Sequence, residues 1–308
     1  MKISYNILRL IILVLSVIIA INSCATIEKE MESKKEKTIK EIKSLIAGSK
    51  GTYAVAYKDA ANGEIILINE QEYFHAASTM KTPVMIELFR QIEESKYKLE
   101  DSILVKNEFK SIVDGSTFSI DLSDDSDKEL YKILGKKTTI YNLIYNMITI
   151  SSNLATNILI EKAGAKNVTD YMRKLGADKI QILRGVEDGK AYQAGLNNVT
   201  TAYDLMIIFE HLLKKDILSG YNHNEMLKIL FDQKFKDKIP AELPQDVKVA
   251  NKTGSITNVE HDSGIVYLPD GRKYILVLLS KDLSGNKSGT ETLAKISKII
   301  YDGLYSNE

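Results

Sequence analysis

The hydrophobic pattern of this chain changes its period twice. Behind an apolar run from Leu10 to Ile21, residues 28–46 are rich in Lys and Glu, with Ile39, Ile42, Leu45 and Ile46 spaced for one face of a helix. Two β-prone runs follow, Thr52 to Tyr57 and Glu64 to Ile68. They are joined through Asp59-Ala60-Ala61-Asn62-Gly63, whose Asn-Gly is a strong turn signal, so the pair predicts a hairpin. From about residue 79 to 214 the spacing is helical: Pro83 to Ile92, Thr139 to Ile148, Asn153 to Lys162, Val168 to Leu175 and Thr201 to Lys214. Thr139, Asn167 and Thr200 fit N-caps there, and Gly164 and Gly176 fit helix stops. The acidic stretch Asp121 to Asp127 interrupts the pattern and reads as a solvated loop. Strands return at Val247 to Ala250, Gly264 to Leu268 and Lys273 to Ser280, the last two linked by Pro269-Asp270-Gly271, and a helix from Thr290 to Leu304 closes the chain.

Strands at both ends with helices between them predict that the termini meet in one sheet while the middle forms a separate helical lobe. The natural place for a site is the cleft between the two. At 308 residues the chain has room for one large domain or two lobes with a sizeable core. Its 41 Lys+Arg are balanced by 41 Asp+Glu, so it lacks the overall basic field that gathers phosphate backbones, and nucleic acid is not an expected partner. Four histidines, His75, His211, His223 and His261, lack the spacing of a metal site, and no glycine-rich phosphate loop or Gly-x-Ser-x-Gly elbow occurs. His261-Asp262, beside a predicted strand, reads either as a cleft wall or as a hydrogen-bonded turn.

The N-terminal segment has its own logic. Lys2 and Arg9 precede the Leu10–Ile21 run, which falls short of the about 20 apolar residues that cross a bilayer as a helix. Residues 1–23 therefore read as an export signal rather than a spanning anchor. Cys24 is the sole cysteine and cannot form an internal disulfide. Ile21-Asn22-Ser23-Cys24 resembles the lipobox of bacterial lipoproteins, with Asn22 departing from the small or aliphatic residue usual there. That resemblance implies a lipid-modified Cys24, a solvated tether over 24–37 and a domain over 38–308 anchored outside the cytoplasm; the alternative is an incidental cysteine near an ordinary cleavage site. Acyl chains, at about 0.8 kcal/mol per buried CH₂, suffice for stable anchoring.

The chemistry lies in three short motifs in a fixed order: Ser78-Thr79-Met80-Lys81, Ser151-Ser152-Asn153 and Lys252-Thr253-Gly254. Together they offer a hydroxyl nucleophile, two proton carriers and a cationic anchor, which is what a serine acyl-transfer enzyme needs. Ser-x-x-Lys also occurs at Ser95–Lys98 and Ser284–Lys287, so the set carries the inference rather than any member. Lys81, three residues after Ser78, falls on the same helix face one turn away. To accept a proton its pKa must be lowered by burial and by another cation such as Lys252. The competing local reading makes Thr82 a helix cap with Pro83 at the first position and leaves Ser78 in a loop; Pro83 in either case predicts an irregular first turn. Ser151-Ser152-Asn153 taken alone is equally an N-cap cluster, and Lys252-Thr253-Gly254 alone a strand-to-turn segment.

These motifs resemble those of the class A serine β-lactamases and related penicillin-recognising serine hydrolases, over nearly all of the mature length. The resemblance implies an α+β fold, an antiparallel sheet flanked by helices (38–77 and 215–308) plus an all-helical lobe (78–214), acting as a monomer with neither metal nor organic cofactor. It implies Ser78 as nucleophile, Lys81 as its base and Ser151 as proton donor to the departing nitrogen. Asn153 would hold the substrate's side-chain amide, Lys252 and Thr253 its carboxylate, Gly254 would let it lie along the strand, and the N–H groups of Ser78 and Ser255 would form the oxyanion hole. Ser152 stands where the family has Asp, which puts the support of that loop in question. No Glu-x-x-Leu-Asn segment follows; Glu187 in Leu183-Arg184-Gly185-Val186-Glu187-Asp188-Gly189 is the candidate deacylation base, or a charged surface turn, and Ala191 stands in place of its asparagine partner. The expected substrate is a small β-lactam or peptidoglycan-like molecule. A D-Ala-D-Ala peptidase or esterase and a non-turnover penicillin-binding sensor remain the alternatives.

Overall fold

A computed structural model of the chain describes residues 32–306. Five antiparallel strands form its main sheet: β1 (Thr52–Asp59), β2 (Ile65–Ile68), β3 (Lys248–Ile256), β4 (Val259–Tyr267) and β5 (Lys273–Lys281), in the order β2-β1-β5-β4-β3. The hairpin expected from Asn62-Gly63 pairs Tyr57 with Ile66, and β1 pairs with β5 along its whole length, so the two ends of the chain do meet in one sheet. The central strand β5 is apolar and buried on both faces, as a strand sandwiched between helical layers must be. One face packs Tyr53, Val55, Leu276 and Leu278 against Ile42 of a helix over residues 32–47, here α1, and against Leu293, Ile296 and Ile300 of the closing helix. The other packs Ala54, Ala56, Val277 and Leu279 into the core of the helical lobe.

That lobe is built around α2 (Lys81–Glu93), whose residues are nearly all buried. Around it stand α3 (Ile140–Thr149), α4 (Asn153–Ala163), α5 (Ala165–Lys174), α6 (Ala202–Lys214) and α7 (Gly220–Phe231). Thr139 caps α3 as expected, its Oγ1 accepting from Asn142 N at 3.1 Å, and Gly164, at φ +79°, ends α4. Thr201 rather than Thr200 caps α6, and Asn167 donates to Ala163 O instead of capping α5. Residues 32–37, placed in the tether by composition, already belong to α1, where Thr38 is buried and Lys35 lies 3.6 Å from Glu64. Among the described residues no helix is long and apolar enough to cross a membrane. Cys24 and the Leu10–Ile21 run lie outside the described residues.

Two differences bear on the site. Strands β3 and β4 run well beyond the expected Val247–Ala250 and Gly264–Leu268, taking in Asn251 to Thr253 and Glu260 to Ser263, all of them buried polar residues. The acidic stretch 121–127 is not simply solvated, because Asp125 and Asp127 are 3% and 2% exposed. Each caps a helix that would otherwise begin with unpaired N–H groups.

Candidate active site

Pro83 sets how the first motif enters its helix. A proline lacks an N–H and is tolerated only in a first turn, so α2 begins at Lys81, with Pro83 at its third position, and Ala77–Met80 forms the irregular 3₁₀ turn before it. Thr82 does not cap the helix; its hydroxyl is buried without a hydrogen-bond partner. Ala77 stands at φ +44°, and its N–H is held by His75 Nδ1 at 3.0 Å. Ser78 thereby reaches the wall of a cleft of about 350 Å³, its hydroxyl unpartnered among the described residues.

Beneath that wall the two lysines converge on one oxygen. Lys81, 0% exposed, donates to Ser151 O at 2.8 Å, Ser151 Oγ at 3.1 Å and Asn153 Oδ1 at 2.9 Å. Lys252, also 0% exposed, lies 3.1 Å from the same Ser151 Oγ and 2.8 Å from Thr253 O. Two ammonium groups cannot share a dry site without penalty. Burial holds Lys81 down to about 7, with the negative charges of Asp125 and Glu187 pulling the other way. Burial, then the neighbouring Lys81, holds Lys252 well below the usual lysine range. A neutral amine on either side lets the Ser151 hydroxyl donate one way and accept the other, a short proton path between the lysines.

Gly254 brings the second lobe against the first. Its register partner is His261, and a Cβ at this position would stand 3.2 Å from Ser78 N, 3.2 Å from Ala77 Cβ and 3.3 Å from Thr79 Cγ2. A side chain here would need β3 and the 3₁₀ turn to move apart by a few tenths of an ångström.

Ser151 is itself at φ +58°, a left-handed conformation costly for a residue with a Cβ. What holds it is the start of α4. Ser152 Oγ accepts from Ala155 N at 3.2 Å, as the N-cap reading of this cluster expects. Asn153 N and Leu154 N donate to Asp125 at 3.0 and 2.7 Å, and Tyr131 OH and Asp127 N also donate to that carboxylate. Support that the family draws from an Asp at the 152 position comes here from Asp125, reached across 28 residues. Nothing local in the sequence marks Asp125, since an acid among acids and serines has the signature of a loop.

Glu187 also reaches the cleft. It sits at φ +61°, exposed at the rim, with Oε1 3.4 Å from Asn153 Nδ2. The surrounding wall displaces water from its carboxyl and pushes its pKa up, Asp124 adds repulsion, and Lys81 and Arg184 pull down. Val186, one residue earlier, is clamped by Asn157 of α4 through N–H to Oδ1 at 2.6 Å and Nδ2 to O at 2.9 Å.

Ser78, Asn153, Glu187 and Ser255 thus line one cleft, with Lys81, Ser151, Lys252 and Thr253 joined beneath it and Gly254 at the lobe contact. His261 lines no part of the cleft and lies in no turn: it is buried in β4, Nε2 to His75 O at 2.9 Å, with Nδ1 accepting from Ser280 N at 3.1 Å. His75 and Tyr192, which no motif singles out, form the cleft's other wall with ring centroids 6.1 Å apart. No group of three or more His, Cys, Asp or Glu placed to hold a metal occurs among the described residues.

A sheet between helical layers, with a cleft where an edge strand meets a helical lobe, is the architecture of the β-lactamase type of serine hydrolase. Solved structures superpose accordingly. A class A β-lactamase representative from Bacteroides cellulosilyticus does so with a TM-score of 0.75 at 24% identity, over 89% of this chain and 99% of its own. PBP-A does so with a TM-score of 0.75 at 22% identity, over 87% and 96%, and a variant of PBP-A has been captured as an acyl-enzyme complex with penicillin G. The Beta-lactamase enzyme family model matches residues 37–304, and the chain belongs to that family. A β-lactamase of Bacteroides uniformis is 26% identical over 277 residues, 85% of this chain and 90% of that protein.

Proposed function

We propose that this enzyme opens β-lactam amides through an ester on Ser78. Neutral Lys81 takes the Ser78 proton as Oγ attacks the lactam carbonyl carbon, and the resulting oxyanion is met by the N–H groups of Ser78 and Ser255. As the C–N bond breaks, the ring nitrogen takes a proton from Ser151 Oγ, which Lys81 replenishes over 3.1 Å. Water then attacks the ester, giving its proton to Glu187, and Ser78 leaves with one returned. Lys252 and Thr253 receive the substrate carboxylate, and Asn153 its side-chain amide. The observation that carries this reading is the single hydroxyl of Ser151 held 3.1 Å from both buried amines.

The second reading, a sensor that acylates and stays acylated, is favoured by one feature: Glu187 is exposed at the rim and lacks the asparagine partner, with Ala191 in its place. Pre-steady-state kinetics with a chromogenic cephalosporin separates them. Sustained turnover supports hydrolysis, a burst of one equivalent without steady state supports the sensor, and parent-rate turnover by Ser78→Ala overturns both.

Export and lipid anchorage through Cys24, with the domain acting as a monomer, complete the proposal, supported by the short apolar run and the lone cysteine after it. Mass spectrometry of the mature N-terminus should find an acylated Cys24; a free thiol there refutes the anchor.

A further inference from the structure

A hairpin on the outside of the helical lobe reaches across to the segment that carries Glu187. Its strands Phe109–Lys110 and Thr117–Phe118 pair directly, and its base is closed by Asn107, which exchanges two hydrogen bonds with Ile120 at 2.9 and 2.8 Å. From its tip, Ser111 Oγ donates to Asp188 Oδ1 at 2.9 Å and Ile112 N to Asp188 Oδ2 at 3.0 Å. The same carboxylate, 3% exposed, accepts from Ala191 N at 3.1 Å. A second tie joins Lys190 to Asp114 at 2.7 Å and Ser116 at 2.8 Å; it is solvent-exposed and correspondingly weak.

Glu187 therefore lies between two clamps. Asn157 of α4 holds Val186 on one side, and the hairpin holds Asp188 on the other. A non-glycine residue at φ +61° costs of order 1 kcal/mol or more and persists only where its neighbours over-determine it. The α4 clamp fixes how far the segment stands from Asn153, and the hairpin clamp fixes the direction in which the chain leaves Glu187. Removing the second lets the peptide relax toward an ordinary conformation and swings the carboxyl away from the cleft.

We infer that the hairpin is a strap that aims Glu187, with Asp188 and Ser111 as positioning residues for the deacylation step. The inference rests on Glu187 being the deacylation base. Asp188 touches neither Ser78 nor the lysine pair, so the acylation machinery is untouched by the strap.

The test measures acylation as the single-turnover burst rate and deacylation as the decay of the quenched acyl-enzyme, in the full chain and in Asp188→Asn, Ser111→Ala and Glu187→Gln. Expected are acylation within about threefold of the parent in Asp188→Asn and Ser111→Ala, deacylation slowed about tenfold in Asp188→Asn and somewhat less in Ser111→Ala, and more strongly slowed in Glu187→Gln. With the carboxyl clear of the cleft wall and of Asp124, the pH dependence of the remaining deacylation should also move to lower pH in the strap variants, which general loosening would not produce. Equal loss in both steps, or deacylation at the parent rate while Glu187→Gln is slow, overturns the strap. Parent-rate deacylation in Glu187→Gln overturns the base assignment itself. Should Asp188→Asn fail to fold, Ser111→Ala, which leaves Asp188 its two N–H partners, decides by the same criteria.

Discussion

Replacing Asp125 with alanine removes one carboxylate that accepts from Asn153 N, Leu154 N, Asp127 N and Tyr131 OH. Leu154 is fully buried, so its stranded N–H alone costs about 1–3 kcal/mol. Loss of the bonds from Asn153 N, Asp127 N and Tyr131 OH adds about 1 kcal/mol. The sum, about 2–4 kcal/mol, corresponds in a domain of this size to a fall in melting temperature of roughly 5–15 °C. The chemical consequence is separate. Asn153 and Ser151 sit on the turn that Asp125 braces, and a displacement near 1 Å there lowers kcat/KM on the order of 100-fold. Asp125→Asn keeps one acceptor oxygen and should lose about half the stability. It also removes a negative charge that supports the Lys81 ammonium, so the acid limb of acylation moves to lower pH. Thermal melts and pH-resolved kcat/KM with a chromogenic cephalosporin read both effects. An Asp125→Ala protein melting within about 1 °C of the parent with unchanged kcat/KM would refute the assignment of Asp125 as the brace.

Two further predictions follow from the same geometry. Lys81 can accept a proton only when neutral, and its pKa is held down to about 7, so acylation should fall about tenfold per pH unit below that value and level off above it; a flat profile between about pH 5 and pH 8 removes Lys81 as the base. Gly254→Ala places a methyl 3.2 Å from Ser78 N, an overpacking of about 1–3 kcal/mol that should slow acylation about tenfold or more while leaving the helical lobe's fold intact by circular dichroism; acylation at the parent rate contradicts the close approach.

The architecture was legible where periodicity follows burial. The Asn62-Gly63 hairpin, the apolar strand β5 and the cap at Thr139 all stand where their residue patterns predict. The pattern failed where polar residues are buried. Strand β3 carries Asn251, Lys252 and Thr253, and β4 carries Glu260, His261, Asp262 and Ser263, inside a sheet covered on both faces, so neither alternates apolar with polar. Helix α7 opens with Gly220-Tyr221-Asn222-His223-Asn224 and has no side-chain cap, leaving nothing local to announce it. The motifs carried the chemical residues into view because Ser78, Lys81, Ser151 and Lys252 each sit in a short, ordered string. Asp125, Asn157 and Asp188 belong to none; each acts on backbone N–H groups of a distant segment, and such partnerships exist only once the chain has folded.

On the proposed mechanism the Ser78 hydroxyl and the buried amines of Lys81 and Lys252 act as one acylating site. Mass spectrometry of protein quenched shortly after mixing with penicillin G, followed by peptide mapping, tests it most directly. One covalent equivalent on the peptide containing Ser78, absent in Ser78→Ala and longer-lived in Glu187→Gln, is the predicted result. An adduct on any other residue, or hydrolysis that persists undiminished without Ser78, would contradict it.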